Sequence, residues 1–269
     1  MHAHLRASRR STGALFLLLP ALLAACGDEE PETPAPTPAS AAAPSGSDAA
    51  RDELAALAAA ARDRHLTARY TLAGSDGTTR DITVTTADDG SWRVDVPGGA
   101  LGGGVDVSLA ATRDGLFQCG LPSAARPEPA TCVRLGDRDD SLPSRLDPRV
   151  HHPFTDWLEV LTDRRAALSV SVAVPPTGAT GSCYAVETTS ASLSPPLDVG
   201  IYCYERDGTP TFVRTALGTL TLAGVPGPGP ATVPLAGPVV QAAPLGRDAV
   251  DPSGTDTAEP SGGPGAGTP

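Results

Sequence analysis

The sequence predicts an α+β fold: an antiparallel meander of about ten short strands with two helices packed on one face. Three observations predict it. Apolar residues recur at helical spacing in two stretches, around 49–65 and 154–161, and alternate with period two through most of 66–222. Asp-Gly pairs, strong hairpin signals between alternating runs, stand at Asp76-Gly77, Asp89-Gly90, Asp114-Gly115 and Asp207-Gly208 if the Ser75-Asp76-Gly77 turn is included. The helices interrupt the strands rather than alternating with them, which argues against a parallel α/β sheet.

The elements follow in order. Asp48 is placed to cap a helix starting at Ala49, in which Leu54, Leu57, Ala58 and Ala61 share one face. The run Ala58-Ala59-Ala60-Ala61 adds propensity. Strands are then expected around Tyr70–Leu72, Asp81–Thr86, Trp92–Val96, Val105–Leu109 and Leu116–Cys119, with Trp92, Val94 and Val96 on an inner face. Phe154, Trp157, Leu158 and Leu161 stand at i, i+3, i+4 and i+7 and predict the second helix. Strands resume at Leu168–Val174, Cys183–Thr188 and Ile201–Glu205. A last long strand, Thr211–Leu222, is expected to carry a bulge at Gly218. Each half reads as a helix followed by strands, without a strict repeat.

The N-terminus reads as a targeting segment. Arg6, Arg9 and Arg10 precede an apolar run from Thr12 to Ala25 that is shorter than the ~20 residues a spanning helix needs. The run ends in Leu23-Ala24-Ala25-Cys26, which resembles the lipobox of bacterial lipoproteins. The resemblance implies cleavage before Cys26, diacylglycerol on its sulfur and often a third chain on its amine. Two or three acyl chains hold a protein durably on a membrane, where one chain binds marginally. The expected divisions are a signal peptide over 1–25, lipidated Cys26 with a Pro-rich acidic linker to 48, one domain over 49–240, and a disordered Pro/Gly-rich tail over 241–269. The linker stretch 27–48 has five prolines and would extend to roughly 65 Å at about 3.1 Å per residue. The expected location is the outer face of the cell membrane, with the bilayer as partner through Cys26.

Composition excludes some chemistry. Among 269 residues all 20 basic side chains are arginine, so P-loop, Schiff-base and kinase-type lysines are missing. A formal charge of −11 argues against nucleic acid as a partner. Loss of residues 1–25 removes three arginines and no acid, which takes the charge to −14. With Cys26 assigned to lipid, Cys119, Cys132, Cys183 and Cys203 remain, and four cysteines allow three connectivities. Proximity favours Cys119–Cys132 and Cys183–Cys203, each joining neighbouring strands. A cysteine metal site would need close pairs such as Cys-x-x-Cys, which the chain lacks.

No catalytic, cofactor-binding or metal-ligating residue is predicted, and no cofactor. The adjacent His151 and His152 precede Pro153; neighbouring residues point apart in a strand or a helix, so they read as a solvated loop. His65 sits at a helix end, where a cation complements the dipole. Gly136–Asp140 fails the calcium-loop pattern and reads as a charged, solvated loop. Pro97–Gly104 lacks dinucleotide-binding spacing and reads as a mobile loop. With no Gly-x-Ser-x-Gly elbow and no His-Glu-x-x-His, the chain is not expected to be an enzyme.

The order of lipobox, linker, helix and Asp-Gly-punctuated meander, with the late stretch Gly200-Ile201-Tyr202-Cys203-Tyr204-Glu205-Arg206-Asp207-Gly208-Thr209-Pro210-Thr211, resembles the actinobacterial cell-envelope lipoproteins of the LppX and LprG group, relatives of the carrier LolA. The resemblance spans roughly residues 50–240. It implies a half-barrel sheet with helices over its concave face and a lipid or lipoglycan held between them. The two cysteine pairs depart from that pattern, and no cavity-lining residue carries over. Two functions follow: a lipid carrier with an apolar cavity, or a surface lipoprotein acting as an interaction module with a packed core.

Overall fold

A computed structural model describes residues 46–124, 126–191 and 195–248. The expected signal peptide, Cys26 and the linker up to residue 45, and the tail from 249 onward, lie outside the described residues.

The first helix, α1 (Gly46–Arg62), starts three residues before the predicted position and buries Ala50, Leu54, Ala58 and Ala61, one apolar face along its length. Asp48 falls in its first turn rather than at its cap, where a carboxylate still complements the dipole. Six strands follow: β1 (Leu66–Gly74), β2 (Thr79–Thr86), β3 (Trp92–Ala100), β4 (Val105–Thr112), β5 (Gly115–Gly120) and β6 (Thr131–Gly136). The second helix, α2 (Asp156–Thr162), is short and follows a 3-10 turn over His152–Phe154. The chain then makes β7 (Leu168–Ala173), β8 (Ser182–Thr188), β9 (Gly200–Tyr204), β10 (Pro210–Thr215), β11 (Gly218–Leu222) and the two-residue β12 (Gly227–Pro228).

The twelve strands form one open, antiparallel sheet in the order β6-β5-β4-β3-β2-β1-β11-β10-β9-β8-β7, with β12 pairing the start of β1. Each half is thus a helix followed by a meander, and the two meanders join where Tyr70 faces Leu222 and Leu72 faces Leu220. The count exceeds the expected ten partly because Thr211–Leu222 is two strands. Gly218, at φ +133°, closes the β10–β11 turn and opens β11 instead of making a bulge; a Cβ there would stand 2.3 Å from the Ala73 carbonyl oxygen. The apolar alternation continues across the turn, so periodicity alone did not expose it.

Both helices pack on one face. A single core joins Leu54 and Ala58 of α1, Trp157, Leu158 and Leu161 of α2, and inward residues such as Tyr70, Ile82, Val84, Val94 and Tyr202 of the sheet. Arg51 of α1 fastens this layer. Its guanidinium donates to the carbonyls of Leu168 (2.5 Å), Ala166 (2.6 Å) and Asp163 (3.0 Å), the segment that leads from α2 into β7.

Two expectations are corrected. The glycine-rich stretch 97–104 is not a free loop. β3 continues through it to Ala100 with a register shift after Val96, and the Leu101 and Gly102 amides donate to the carbonyls of Gly246 and Arg247. The ordered chain also runs past the expected boundary at 240. Leu245 exchanges hydrogen bonds with the Gln118 side chain, and the Arg247 amide donates to the Arg145 carbonyl. These are backbone bonds to irregular segments, which leave no hydrophobic period to read.

Candidate functional site

The four cysteines pair as Cys119–Cys132 across β5–β6 and Cys183–Cys203 across β8–β9, with S–S separations of 2.08 and 2.06 Å. Each bond links directly opposed residues of neighbouring strands. Cys203 alternates with Tyr202 and Tyr204, which face the helices, so its bond lies on the other face, in a small cluster with Phe212. The disulfides mark an oxidising, extracytoplasmic compartment. No helix among the described residues is long and apolar enough to cross a membrane.

The candidate site is a cleft of about 520 Å³ at one end of the helical layer. The end of α1, the β2–β3 turn, the segment 138–142 and the approach to α2 line it. Its wall is mixed: Trp92, Leu116 and Leu158 beside Arg62, Arg138 and Glu159. His151 and His152 form part of it.

The connection from β6 to α2 builds the histidine wall. Leu146 and Val150 are buried and pin it to the domain. Between them Asp147 accepts the Arg149 amide (2.7 Å), Pro148 restricts the backbone, and Arg149 takes φ +65°. The Arg149 guanidinium pairs with Asp198, which holds that left-handed residue in place. The chain thereby turns back, and the 3-10 turn after it brings both imidazoles over Asp147. His151 and His152 are therefore not a solvated loop: His151 is only 5% exposed, and the two rings lie 4.2 Å apart. Adjacent side chains diverge in regular elements, and this segment is neither strand nor α-helix.

The rings belong to an aromatic column. Trp92 stacks on His151 at 5.6 Å and His152 stacks on Trp157 at 5.3 Å, while Trp157 meets Tyr202 edge-on. His152 is held at both nitrogens, by Asp147 Oδ2 on Nε2 (2.9 Å) and Asp156 Oδ1 on Nδ1 (2.7 Å). Thr155 Oγ1 donates to the same Asp156 oxygen (2.9 Å). Burial opposes charge on His152, but the hydrogen bonds to Asp147 and Asp156 outweigh it and raise the imidazole to about 9. His151 goes the other way. Burial and the neighbouring His152 cation bring it down to about 4, against the pull of Asp147 and Asp156. At neutral pH the column thus holds one cation and one neutral imidazole, with the cation over the Trp157 face. His151 Nδ1 is buried without a hydrogen-bond partner, 3.7 Å from Asp147 Oδ1.

Asp147 and Asp156 carry no motif in the sequence. The only signal was their spacing to the histidines, four residues before His151 and four after His152. His65 sits three residues beyond α1 and pairs with Asp88 at 3.0 Å instead of capping the helix. The Gly136–Asp140 turn is as expected: Arg134 pairs with Asp137 at the surface, and Asp140 accepts the Asp137 amide.

Fold and site together define an extracytoplasmic, disulfide-stapled α+β domain with an imidazole–carboxylate cleft. Compared with protein-family models and with curated proteins, the chain matches none.

Proposed function

We propose that the protein is a membrane-anchored exported lipoprotein whose domain is an interaction module with a packed core, presenting the histidine cleft to a partner outside the cytoplasm. The observation that carries this reading is how little apolar space lies beside Tyr70, Val84, Phe154 and Leu158, between sheet and helices. The apolar pocket there is about 20 Å³, against the roughly 300 Å³ at which ligand cavities begin. A lipid chain has no room beside these side chains as they stand. Leu23-Ala24-Ala25-Cys26 supports the anchor, as does the layout that resembles the LppX and LprG group. The resemblance favours a lipid carrier, and the packed interior favours the module.

Two experiments test the reading. Replacing Cys26 by Ser is expected to release the protein into the medium; retention on the membrane would refute the anchor. Native mass spectrometry of that released chain is expected to show neither co-purified lipid nor uptake of added phospholipid. A bound lipid would restore the carrier.

A further inference from the structure

We propose that Asp147, His151 and His152 form a binding site for a divalent first-row transition metal ion of the zinc class. The inference rests on the geometry of the cleft and stands whether or not the chain is lipid-anchored.

The donor set and its spacing fit such an ion. Each of the three residues offers one ligand atom, and these atoms lie within 4.8 Å of one another. Asp147 spans the pair, with Oδ2 at 2.9 Å from His152 Nε2 and Oδ1 at 3.7 Å from His151 Nδ1. Tetrahedral zinc with bonds of about 2.0–2.1 Å separates its donors by ~3.3 Å, so an ion bound by one Asp147 oxygen would draw the three side chains together from their spacing within 4.8 Å. Two imidazoles and a carboxylate suit zinc, copper, nickel or iron, and are poor partners for calcium or magnesium, which take oxygen ligands.

The independent observation is His151 Nδ1. It is a buried polar atom with no hydrogen bond, on a side chain 6% exposed, and it faces the Asp147 carboxylate. Buried polar atoms are nearly always partnered, and each exception calls for an explanation. A metal ion supplies the missing partner.

The surroundings resemble the outer shell of a metal site. The far nitrogen of His152 meets Asp156, a carboxylate that would orient the ring and raise its basicity as outer-shell carboxylates do for metal-bound histidines. Thr155 steadies that carboxylate, and Trp92 and Trp157 clamp the imidazoles from either side. Binding at His152 Nε2 displaces the proton shared with Asp147 to solvent, and the Nδ1 proton stays in the bond to Asp156. Three protein ligands leave a fourth position, and the cleft that both histidines line gives it an approach from solvent.

The test uses the full chain with Cys26→Ser, so that no free thiol competes, and titrates it with Co²⁺ read by visible absorption and with Zn²⁺ read by calorimetry. One ion per chain is expected, with tetrahedral or five-coordinate cobalt bands. His151→Phe keeps the stack between Trp92 and His152 but removes a ligand, and is expected to abolish those bands. Asp156→Asn is expected to weaken Zn²⁺ binding by about 10–100-fold, the usual effect of losing an outer-shell carboxylate. Circular dichroism checks that each variant folds; should His151→Phe fail to, Asp147→Ala takes its place and the Asp156→Asn comparison stands by itself. His2, His4 and His65 are common to all these proteins. Absence of uptake by the parent chain, or equal stoichiometry and affinity in parent and variants, would overturn the site.

Discussion

With chelator present, raising the pH from 6.5 to 9 should destabilise the domain, and lowering it from 6.5 to 4 should do so as well. The perturbation acts on two adjacent imidazoles shifted in opposite directions. His152 is raised to about 9, so between 6.5 and 9 the folded state holds a proton that the unfolded state has lost. Its contribution is complete below 6.5 and disappears as pH rises through 9. At 1.36 kcal/mol per pH unit that interval corresponds to ~3 kcal/mol. His152 is only 17% exposed, but its partner Asp156 is 56% exposed and screened by solvent, so the figure is an upper value. His151, lowered to about 4, stays neutral in the fold while the unfolded chain protonates, so its contribution is lost as pH falls from 6.5 toward 4. Other shifted groups act elsewhere. The Asp147 and Asp156 carboxyls are held below their usual range and matter under pH 4, and burial raises the Tyr70, Tyr202 and Tyr204 hydroxyls, which matter above pH 10. The assay is urea unfolding with disulfides intact, across pH 4–9, for the parent and for His152→Gln. A stability maximum near 6.5 is expected, with the alkaline slope missing in the variant. Stability that is flat or rising between 6.5 and 9 in the parent would refute the reasoning.

Three further outcomes are expected. Arg51→Ala removes three hydrogen bonds to backbone carbonyls and should lower unfolding stability by ~1–3 kcal/mol, whereas an unchanged urea midpoint would show that water replaces them. Gly208→Ala should lower the melting temperature through a loss of about 2 kcal/mol or more: Gly208 takes φ +85°, and a Cβ there would stand 2.4 Å from the Ala61 amide nitrogen, where the β9–β10 turn meets α1. Alkylation of denatured, unreduced Cys26→Ser protein should label no cysteine, and removing either bond by paired Cys→Ala changes should cost ~3 kcal/mol for loops of 13 and 20 residues; labelling of two or more thiols would exclude the paired state.

Much of the fold was legible because burial of one face imposes a period. The inward face of α1 could be read from Leu54, Ala58 and Ala61, and that of the approach and helix α2 from Phe154, Trp157, Leu158 and Leu161, all of which are buried. The cysteine pairing was legible for a related reason: a meander makes sequence neighbours into spatial neighbours. Gly218 was misread because a hairpin and a bulge both use a glycine within an alternating run. The ordered stretch 241–248, beyond the expected boundary, has no side-chain period to read, because it binds by backbone hydrogen bonds.

The site divides along the same line. By itself the sequence determined the residue types available: no lysine, five cysteines and few histidines. Tertiary structure alone decided that Asp147, His151, His152 and Asp156 converge between two tryptophans, and that the apolar pocket beside Tyr70, Val84, Phe154 and Leu158 is only about 20 Å³. The physical reason is that hydrophobic periodicity reports which face of an element is buried. A convergence set by an Asp-Pro turn, a left-handed Arg149 and a 3-10 turn has no period. The volume left between layers depends on how side chains from distant strands interdigitate, which no local pattern records.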